Sequence, residues 1–484
     1  MSLRVGVVGD PAALPVWVAD LLDELRELPV ELALVRATRA PLPSGGLAER
    51  FDRHVPGPRG VDLAATVPAG DVAVRDTADG LDVVFVPESP APAGAEAWTW
   101  RAVELEDAID VELLANGEPL DRARIERSPV SPYRNQARVP AKVVELVVRQ
   151  LRARTLGLEA PAAASAASDP PVGQLGTAEI ARELAARQIR WRLMLPRWFI
   201  AYRRRGAAEL MLLEAAGTDF YADPFPITVG GHDYLFFEHF QRERGYAVIA
   251  FVELDAAGRP SAPTTVIERD HHLSYPFVFE RDGAVWMIPN TFRSRTIELY
   301  RATDFPARWV PERILVDDVR AGDATLVEHD GLLWLLTGVA RKGEHSLEDL
   351  HAYSAPSLDA LWTPHPLNPV VADIRTARPA GSVFRHGESL IRPGQDCARD
   401  YGRAIVFNRV EALSPTDYRE REVDRLEPTW LPGLTGTHTY SRSERYEAFD
   451  AYDVRRRFRR VAGAQTSQTV PAAQELSRGV LAGG

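Results

Sequence analysis

Four stretches of the chain can be set under one another: "DPFPITVGGHDYLFFEHF", "YPFVFERDGAVWMIPNTF", "DATLVEHDGLLWLLTGV" and "GSVFRHGESLIRPGQD". Each opens with a small or polar lead and continues as an apolar strand, a turn with glycine, and a second apolar strand. The turn glycines Gly231, Gly283, Gly331 and Gly387 recur every 48 to 56 residues. That spacing leaves room for two further strands after each hairpin, such as "RTIELYRA" and "RWVPERILV" after the second. Four strands repeated at such a period describe the blades of a β-propeller. A weaker fifth unit is "GTHTYSRSERYEAFDAYDV", and "RWFIAYRRR" at 197–205 is placed to add a ring-closing strand. The expectation is an all-β five-bladed propeller.

The rest of the chain reads differently. Residues 1–157 alternate strand patterns ("LRVGVVGD", "VELALVRA", "LDVVFVPE") with helical apolar spacing at 15–28 and a closing helix over 136–155. This is the pattern of an α/β domain with a doubly wound parallel sheet. An Ala/Ser/Pro linker occupies 158–176, the propeller domain covers 177–462 after a helical stretch near 177–195, and 463–484 reads as a disordered tail. At 484 residues the chain is long enough for two such domains.

Charge and composition exclude several classes of function. The net charge of −11 argues against nucleic acid, whose phosphates need a basic surface. Arg203–Arg205 and the arginines of 455–460 run against that trend, as solvated element ends or as a local seat for an anion. The single cysteine, Cys397, rules out an intrachain disulfide framework and a thiolate zinc site. No apolar run nears the length of a membrane span and no signal-peptide pattern opens the chain, so a cytoplasmic protein is expected. Only Gly6 and Gly9 follow the first strand, which is not a dinucleotide fingerprint, and no cofactor is expected.

In a propeller the first strand of each blade lines the central channel and its start opens at one mouth. That column holds Asp223, Tyr275, Asp323, Gly381 or Ser382, and Thr437 or His438. Seven residues after each turn glycine stand Glu238, Asn290, Gly338 and Gly394, with Gln395 and Asp396 following the last. Converging carboxylates suit glycosidic chemistry, in which one acid protonates a leaving oxygen and another activates water or attacks. Asp223, Asp323 and Asp396 are the catalytic candidates. Glu238, His271, His272, Tyr275, Asn290, Arg378, Arg392, Gln395, Tyr401 and His438 are the substrate-binding ones. The competing role for the aspartates is to cap backbone N–H groups at blade turns. No metal site is expected: His271 and His272 are adjacent and point to opposite sides of a strand, and no His-x-x-x-His or Asp-x-Asp spacing occurs.

The propeller region resembles the N-terminal domain of plant glucosamine inositolphosphorylceramide transferases. The resemblance rests on "ADPFPI", "YLFFEHF", "HLSYPFVFERDG", "RTIELYRA", "DATLVEHDGLLWLL" and, most specifically, "RPGQDCARDYGRAI". It covers roughly 195–445. The plant proteins carry a separate glycosyltransferase domain after this region, and no such domain is read in this sequence. Where the relatives read Ile-Pro-Glu, this chain has Ile288-Pro289-Asn290. The "ADP" lead also looks like the first blade of arabinanase-like five-bladed glycosidases. By that likeness Asp223 would be the general base and Asp323 its tuner, with Asp396 the one acid available to protonate a leaving group.

The first domain is similar to the formyltransferase-like domains fused to such propellers, through "VGVVGDPAALPVWVADLLDEL" and "ELLANGEPLDRARIERSPVSPYRNQARVPAKVVELVVRQL". The family's His-x-Ser-x-Leu-Pro loop is missing and His54 in "RFDRHVPG" does not replace it, so the fold is expected without its chemistry. Three functions follow in order: a carbohydrate-active protein that binds, and hydrolyses or transfers, a sugar or sugar conjugate at the mouth; a non-catalytic glycan-binding scaffold that partners a glycosyltransferase in trans; an N-formyltransferase acting on an amino sugar.

Overall fold

The computed structural model describes residues 3–9, 30–36, 72–77, 80–85, 108–115, 118–126, 132–159, 194–340, 347–398, 400–456 and 466–471. His54 and the expected helix at 15–28 lie outside them, as does most of the expected linker. The chain divides into two compact units, residues 1–186 with 343–345 and 366–373, and the remainder.

In the first unit six strands form one sheet: β1 (Leu3–Gly9), β2 (Val30–Arg36), β3 (Val72–Thr77), β4 (Gly80–Phe85), β5 (Ala108–Ala115) and β6 (Glu118–Glu126). Their spatial order is β2-β1-β4-β3-β5-β6. β1 runs parallel to β2 and β4, and β3 parallel to β5, but β3/β4 and β5/β6 are antiparallel. The sheet is therefore mixed, not the parallel doubly wound sheet the strand–helix alternation predicts. Only two residues separate β3 from β4, and only Asn116-Gly117 separates β5 from β6. Connections that short permit only antiparallel pairing, and Asn-Gly is a hairpin signal in its own right. The closing helix, expected over 136–155, is α1 (Pro132–Leu156). Its buried Leu146, Val147 and Leu151 face a sheet that buries Val111, Ala123 and Ile125. Arg149 and Gln150 on α1 both reach the buried Asp121 of β6, Arg149 at 2.5 and 3.1 Å and Gln150 at 2.9 Å.

The second unit is a five-bladed propeller. The closing blade draws its middle strands from the start of the unit, β7 (Met194–Arg204) and β8 (Glu209–Glu214). Blade 1 is β9 (Phe220–Val229), β10 (His232–Gln241), β11 (Tyr246–Leu254) and β12 (Thr264–Ile267). Blade 2 is β13 (Ser274–Arg281), β14 (Ala284–Asn290), β15 (Ile297–Asp304) and β16 (Arg308–Val316). Blade 3 is β17 (Ala321–His329), β18 (Leu332–Val339), β19 (Asp349–Ala355) and β20 (Thr363–Pro364). Blade 4 is β21 (Phe384–His386), β22 (Ser389–Asp396), β23 (Ala404–Leu413) and β24 (Tyr418–Leu426). Blade 5 adds β25 (Tyr440–Arg442), β26 (Tyr446–Arg456) and β27 (Thr466–Pro471), in the order β25-β26-β7-β8-β27. β27 lies in the segment read from sequence as a disordered tail. Pairing with β8 from Thr466↔Glu214 to Pro471↔Glu209 supplies the backbone partners that its composition gave no hint of.

Each inner hairpin folds at the glycine that the repeat singled out. Gly230-Gly231, Asp282-Gly283 and Asp330-Gly331 all have positive φ at both residues, as the twist-matched two-residue hairpin turn requires. Apolar side chains from neighbouring sheets then fill the gaps between blades. Phe305 and Trp309 of blade 2, for example, pack on Phe236 of blade 1 at centroid distances of 5.9 and 5.7 Å. β7 pairs with β26 from Arg204↔Tyr446 to Met194↔Arg456, so the ring closes with a strand from each end of the unit. Among the described residues no helix is long and apolar enough to cross a membrane.

Blades 4 and 5 meet where there is room for a backbone alone. Gly381 has φ 116, and a Cβ there would stand 1.8 Å from the Tyr440 carbonyl oxygen. Gly381→Ala is therefore expected to cost about 3 kcal/mol of stability from overpacking plus backbone strain. Chemical denaturation of the two proteins checks this, and a loss under about 1 kcal/mol would mean the blades separate freely.

Candidate functional site at the propeller mouth

The inner strands of blades 1, 2 and 3 begin with the same irregularity. Pairing with the second strand slips between Ala222 and Phe225, between Ser274 and Phe277, and between Gly322 and Thr325. The first residue of each slip, Asp223, Tyr275 or Asp323, takes a left-handed φ of 51, 47 or 61. Buried non-glycine residues in this region of backbone space mark places where the surroundings dictate the conformation. The bulge turns each side chain inward. Glu238 pairs with Ala222, Asn290 with Ser274 and Gly338 with Gly322, so the second-strand column also occupies one level.

The deepest element is Asp450 on β26, fully buried and absent from the candidates drawn from sequence. Its Oδ1 accepts the backbone N–H groups of His438 and Thr439, each at 3.0 Å. Its Oδ2 accepts the N–H of Asp223 at 2.9 Å and faces His438 Nδ1 at 2.7 Å. Asp223 repeats the motif one blade on, accepting the Tyr275 N–H at 3.0 Å and the Thr439 hydroxyl at 2.7 Å. Tyr275 then spans the channel. Its hydroxyl lies 2.7 Å from the Thr325 hydroxyl and accepts the Gly381 N–H at 2.7 Å. Asp223, His438 and Asp450 bring ligand-type atoms within 4.8 Å of one another, a meeting that sequence spacing had not shown. The oxygens of Asp450 are spent on four N–H groups, which is the pattern of a hydrogen-bonded hub.

A second network surrounds Asp323. Asn290 Nδ2 donates to Oδ1 at 3.1 Å, Arg378 Nε to Oδ2 at 2.5 Å, and Gln395 Nε2 reaches Oδ2 at 3.4 Å while donating to the Pro379 carbonyl at 2.9 Å. The Arg378 guanidinium lies 4.8 Å from the centre of the Tyr401 ring. Tyr401 stands edge-on to His438 at 5.4 Å, and His438 stacks on Trp198 at 4.0 Å. The rim is open to solvent: Tyr401 is 48% exposed and the His272 side chain 46%.

Not every candidate reaches this cluster. Asp396 accepts the Ala398 N–H at 3.1 Å and pairs with Arg425 of the outer strand β24 at 2.5 Å. Arg392 is buried against Glu420, also on β24, at 2.5 and 2.6 Å. Strand alternation explains both: Gln395 faces Asp323, so its neighbour Asp396 and the same-parity Arg392 face the other way. His271 engages Asp270 at 2.8 Å and Ser294 at 3.5 Å, opposite to His272.

The acid that stands next to Asp223 is Glu238 and not Asp396. It is buried opposite Ala222, the neighbour of Asp223, and burial first and the nearby Asp223 charge second push its pKa well above the usual carboxylate range. Burial lifts Asp223 to about 6, with His438 opposing the rise and Asp323 and Asp450 adding to it. His272 Nδ1 accepts the Ala247 N–H at 3.3 Å, so Nε2 carries the proton and points to Glu238 Oε1 at 3.5 Å. Burial pulls His438 toward neutrality, but Asp450 and Asp223 outweigh it and favour the charged imidazolium.

Residues 208–431 match the family model described as glucosamine inositolphosphorylceramide transferase 1, N-terminal. Over 213 residues the chain is 35% identical to glucosamine inositolphosphorylceramide transferase 1 of Arabidopsis thaliana, and over 215 residues 34% identical to that of Oryza sativa subsp. japonica. Each alignment takes in 43% of this chain but only 27% and 28% of the relatives, so the chain spans little more than a quarter of their length. Among solved structures, a Cellvibrio cellulosa α-L-arabinanase aligns at 11% identity and TM-score 0.33, over 46% of this chain and 94% of that one. An endo-arabinanase from Bacillus licheniformis aligns at 15% and 0.36, over 53% and 96%. Likenesses this distant carry no weight for function. The family match holds Asp223, Glu238, Asp323, Arg378 and Tyr401, and it stops before His438 and Asp450.

The acid pair has a signature in pH. A carboxyl whose pKa is raised by folding holds its proton more tightly folded than unfolded, so its contribution is complete below the unfolded value near 3.8 and lost as pH rises through about 6. Glu238 has the same sign at higher pH. Glu238→Gln removes both the second acid and the repulsion on Asp223. The melting temperature of the unaltered protein is expected to fall relative to that of Glu238→Gln as pH rises from about 4 to 8. Parallel pH profiles would show that Glu238 does not titrate over this range and does not raise Asp223.

Proposed function

We propose that the propeller mouth binds a sugar or a sugar-bearing conjugate. A sugar-related role is supported by the transferase relatives. The observation that carries the reading is the rim, where an exposed Tyr401 ring stands over Arg378 beside the Asn290–Asp323–Gln395 network. A pyranose offers an apolar C–H face and a ring of hydroxyls. The aromatic ring serves the first, and fixed amide, guanidinium and carboxylate groups serve the second. Because Asp323 is locked by three side chains before any ligand arrives, little ordering entropy is lost on binding.

Binding without hydrolysis is favoured over a glycosidase. Glycoside hydrolysis needs two carboxyls about 5 to 9.5 Å apart with the scissile bond between them. Asp323 is held by Arg378 and Asp396 by Arg425, so neither is free to act on a scissile bond. On this reading a glycosyltransferase acting in trans supplies the chemistry.

Tyr401→Ala and Asp323→Asn are each expected to weaken binding of a cognate sugar about tenfold or more while leaving the propeller folded. Saturation-transfer NMR over a set of monosaccharides and their phosphates measures this. Unchanged binding of every sugar in both variants ends the reading, and turnover abolished by one mouth substitution would restore the hydrolase. For the N-terminal unit the proposal is a formyltransferase-like fold without that activity. Formyl transfer from a folate donor to an amino sugar, lost in His54→Ala, would reverse it.

A further inference from the structure

The arginine run Arg203–Arg205 divides at the face opposite the mouth, where β7 ends beside the turn that joins β25 to β26. Arg203 is buried and pairs with Glu447 at 2.5 Å, and the Tyr440 hydroxyl donates to the same carboxylate at 2.9 Å. Arg204 lies over the Tyr446 ring at 5.3 Å and donates to the Ala256 carbonyl at 3.1 Å. Arg205 turns to the β25–β26 hairpin. Its N–H donates to the Arg445 carbonyl at 2.9 Å and its guanidinium to the Glu444 carbonyl at 3.4 Å. Arg442, the last residue of β25, meets the same turn. Its guanidinium lies 4.1 Å from the centre of the Phe384 ring in blade 4 and donates to the Arg385 carbonyl.

Among the described residues neither Arg205 nor Arg442 ion-pairs with a carboxylate; a ring and two backbone carbonyls hold them. Glu447 is spent on Arg203 and Tyr440, and Glu444 offers Arg205 its backbone oxygen. Burial lowers the Arg442 pKa, Tyr440 opposes the change and the Arg205 charge adds to it, so the two guanidiniums feel one another. Two fixed guanidiniums without a counter-charge, on a chain of net charge −11, form a seat for an anion from outside the chain.

The surroundings select the anion. Ser443 Oγ accepts the N–H groups of Arg445 and Tyr446 at 3.3 and 3.0 Å, and the Ser443 N–H donates to the Tyr446 carbonyl at 2.8 Å. The turn is left without the run of N–H groups that cradles a phosphate. Guanidinium forks by themselves match planar carboxylates. Arg205 and Arg442 are half-buried at the open end of a hairpin whose Glu444 and Arg445 are exposed. Such a surface receives a stretch of chain, whereas a small molecule needs enclosure. We propose that Arg205 and Arg442 dock an acidic segment of a partner protein, with Asp or Glu side chains on the two guanidiniums. The proposal is independent of the sugar reading of the mouth.

Fluorescence anisotropy of a labelled hexaglutamate peptide with the full chain at low ionic strength tests it. The peptide should bind despite the chain's net negative charge, and added salt should weaken it. Arg205→Ala and Arg442→Ala should each weaken binding about tenfold, with melting temperatures confirming that both variants fold. Arg301→Ala removes an arginine that pairs with Glu312 in blade 2 and serves as the control for charge alone. It should leave the peptide affinity unchanged. No binding by the unaltered chain overturns the proposal, as does equal weakening in Arg301→Ala. Displacement of the peptide by inorganic phosphate, where chloride of equal ionic strength has no effect, makes the pair a phosphate seat instead. Arg205-dependent binding to phosphatidylserine vesicles without peptide binding makes it a membrane contact, and also overturns the proposal.

Discussion

Asp450 is the point on which the ring depends. A propeller has no covalent closure, and its first and last blades must be joined by something that survives thermal motion. Here a buried carboxylate collects N–H groups from Asp223 in blade 1 and from His438 and Thr439 in the segment leading to β25. Hydrogen bonds to a buried charge are worth about 1.5–3 kcal/mol each, and the N–H groups left behind by its loss would add their own desolvation cost. The β7–β26 ladder gives the closure its length. Asp450 gives it a registered end at the level where the site is built.

That arrangement sets the electrostatics of the mouth. Placing Asp223, Glu238, Asp323 and Asp450 around one channel is tolerable only if each is neutralised in some way. Asp323 is neutralised by Arg378, Asp450 and Asp223 by the His438 they flank, and Glu238 by the proton that its burial retains. At the rim, Tyr401 over Arg378 and His272 beside Glu238 stay half exposed. Rigid burial below and a wet rim above are what a preorganised binding site requires.

How much of this the sequence disclosed can be traced residue by residue. The hairpin glycines and their even spacing revealed the blades, because a two-residue turn with positive φ leaves few residue choices. The channel column was legible as well: Asp223, Tyr275 and Asp323 do occupy one structural level. Asp450 was not read, although an aspartate in the middle of "YEAFDAYDV" is a charge inside a strand whose neighbours are buried, which is the available signal. Asp396 and Arg392 were placed at the mouth by proximity in sequence, and strand alternation turns them outward to β24. In the N-terminal unit, Asn116-Gly117 marked an antiparallel hairpin that a count of strands and helices alone passes over.

The composite fifth blade also sets a clock on biosynthesis. β7 emerges early from the ribosome, but its partner β26 follows some 242 residues later, from Arg204 to Tyr446. At about 5–20 residues per second that is a wait of roughly 12 to 50 s during which the edge of a two-stranded β7–β8 ribbon stands unpaired. Blades 1 to 4 are complete within that interval, so the nascent chain carries an open four-bladed arc beside a ribbon with both edges unpaired, β7 awaiting β26 and β8 awaiting β27. A cell that makes this protein must shield those edges, or start new chains rarely enough that neighbours at the same stage do not meet.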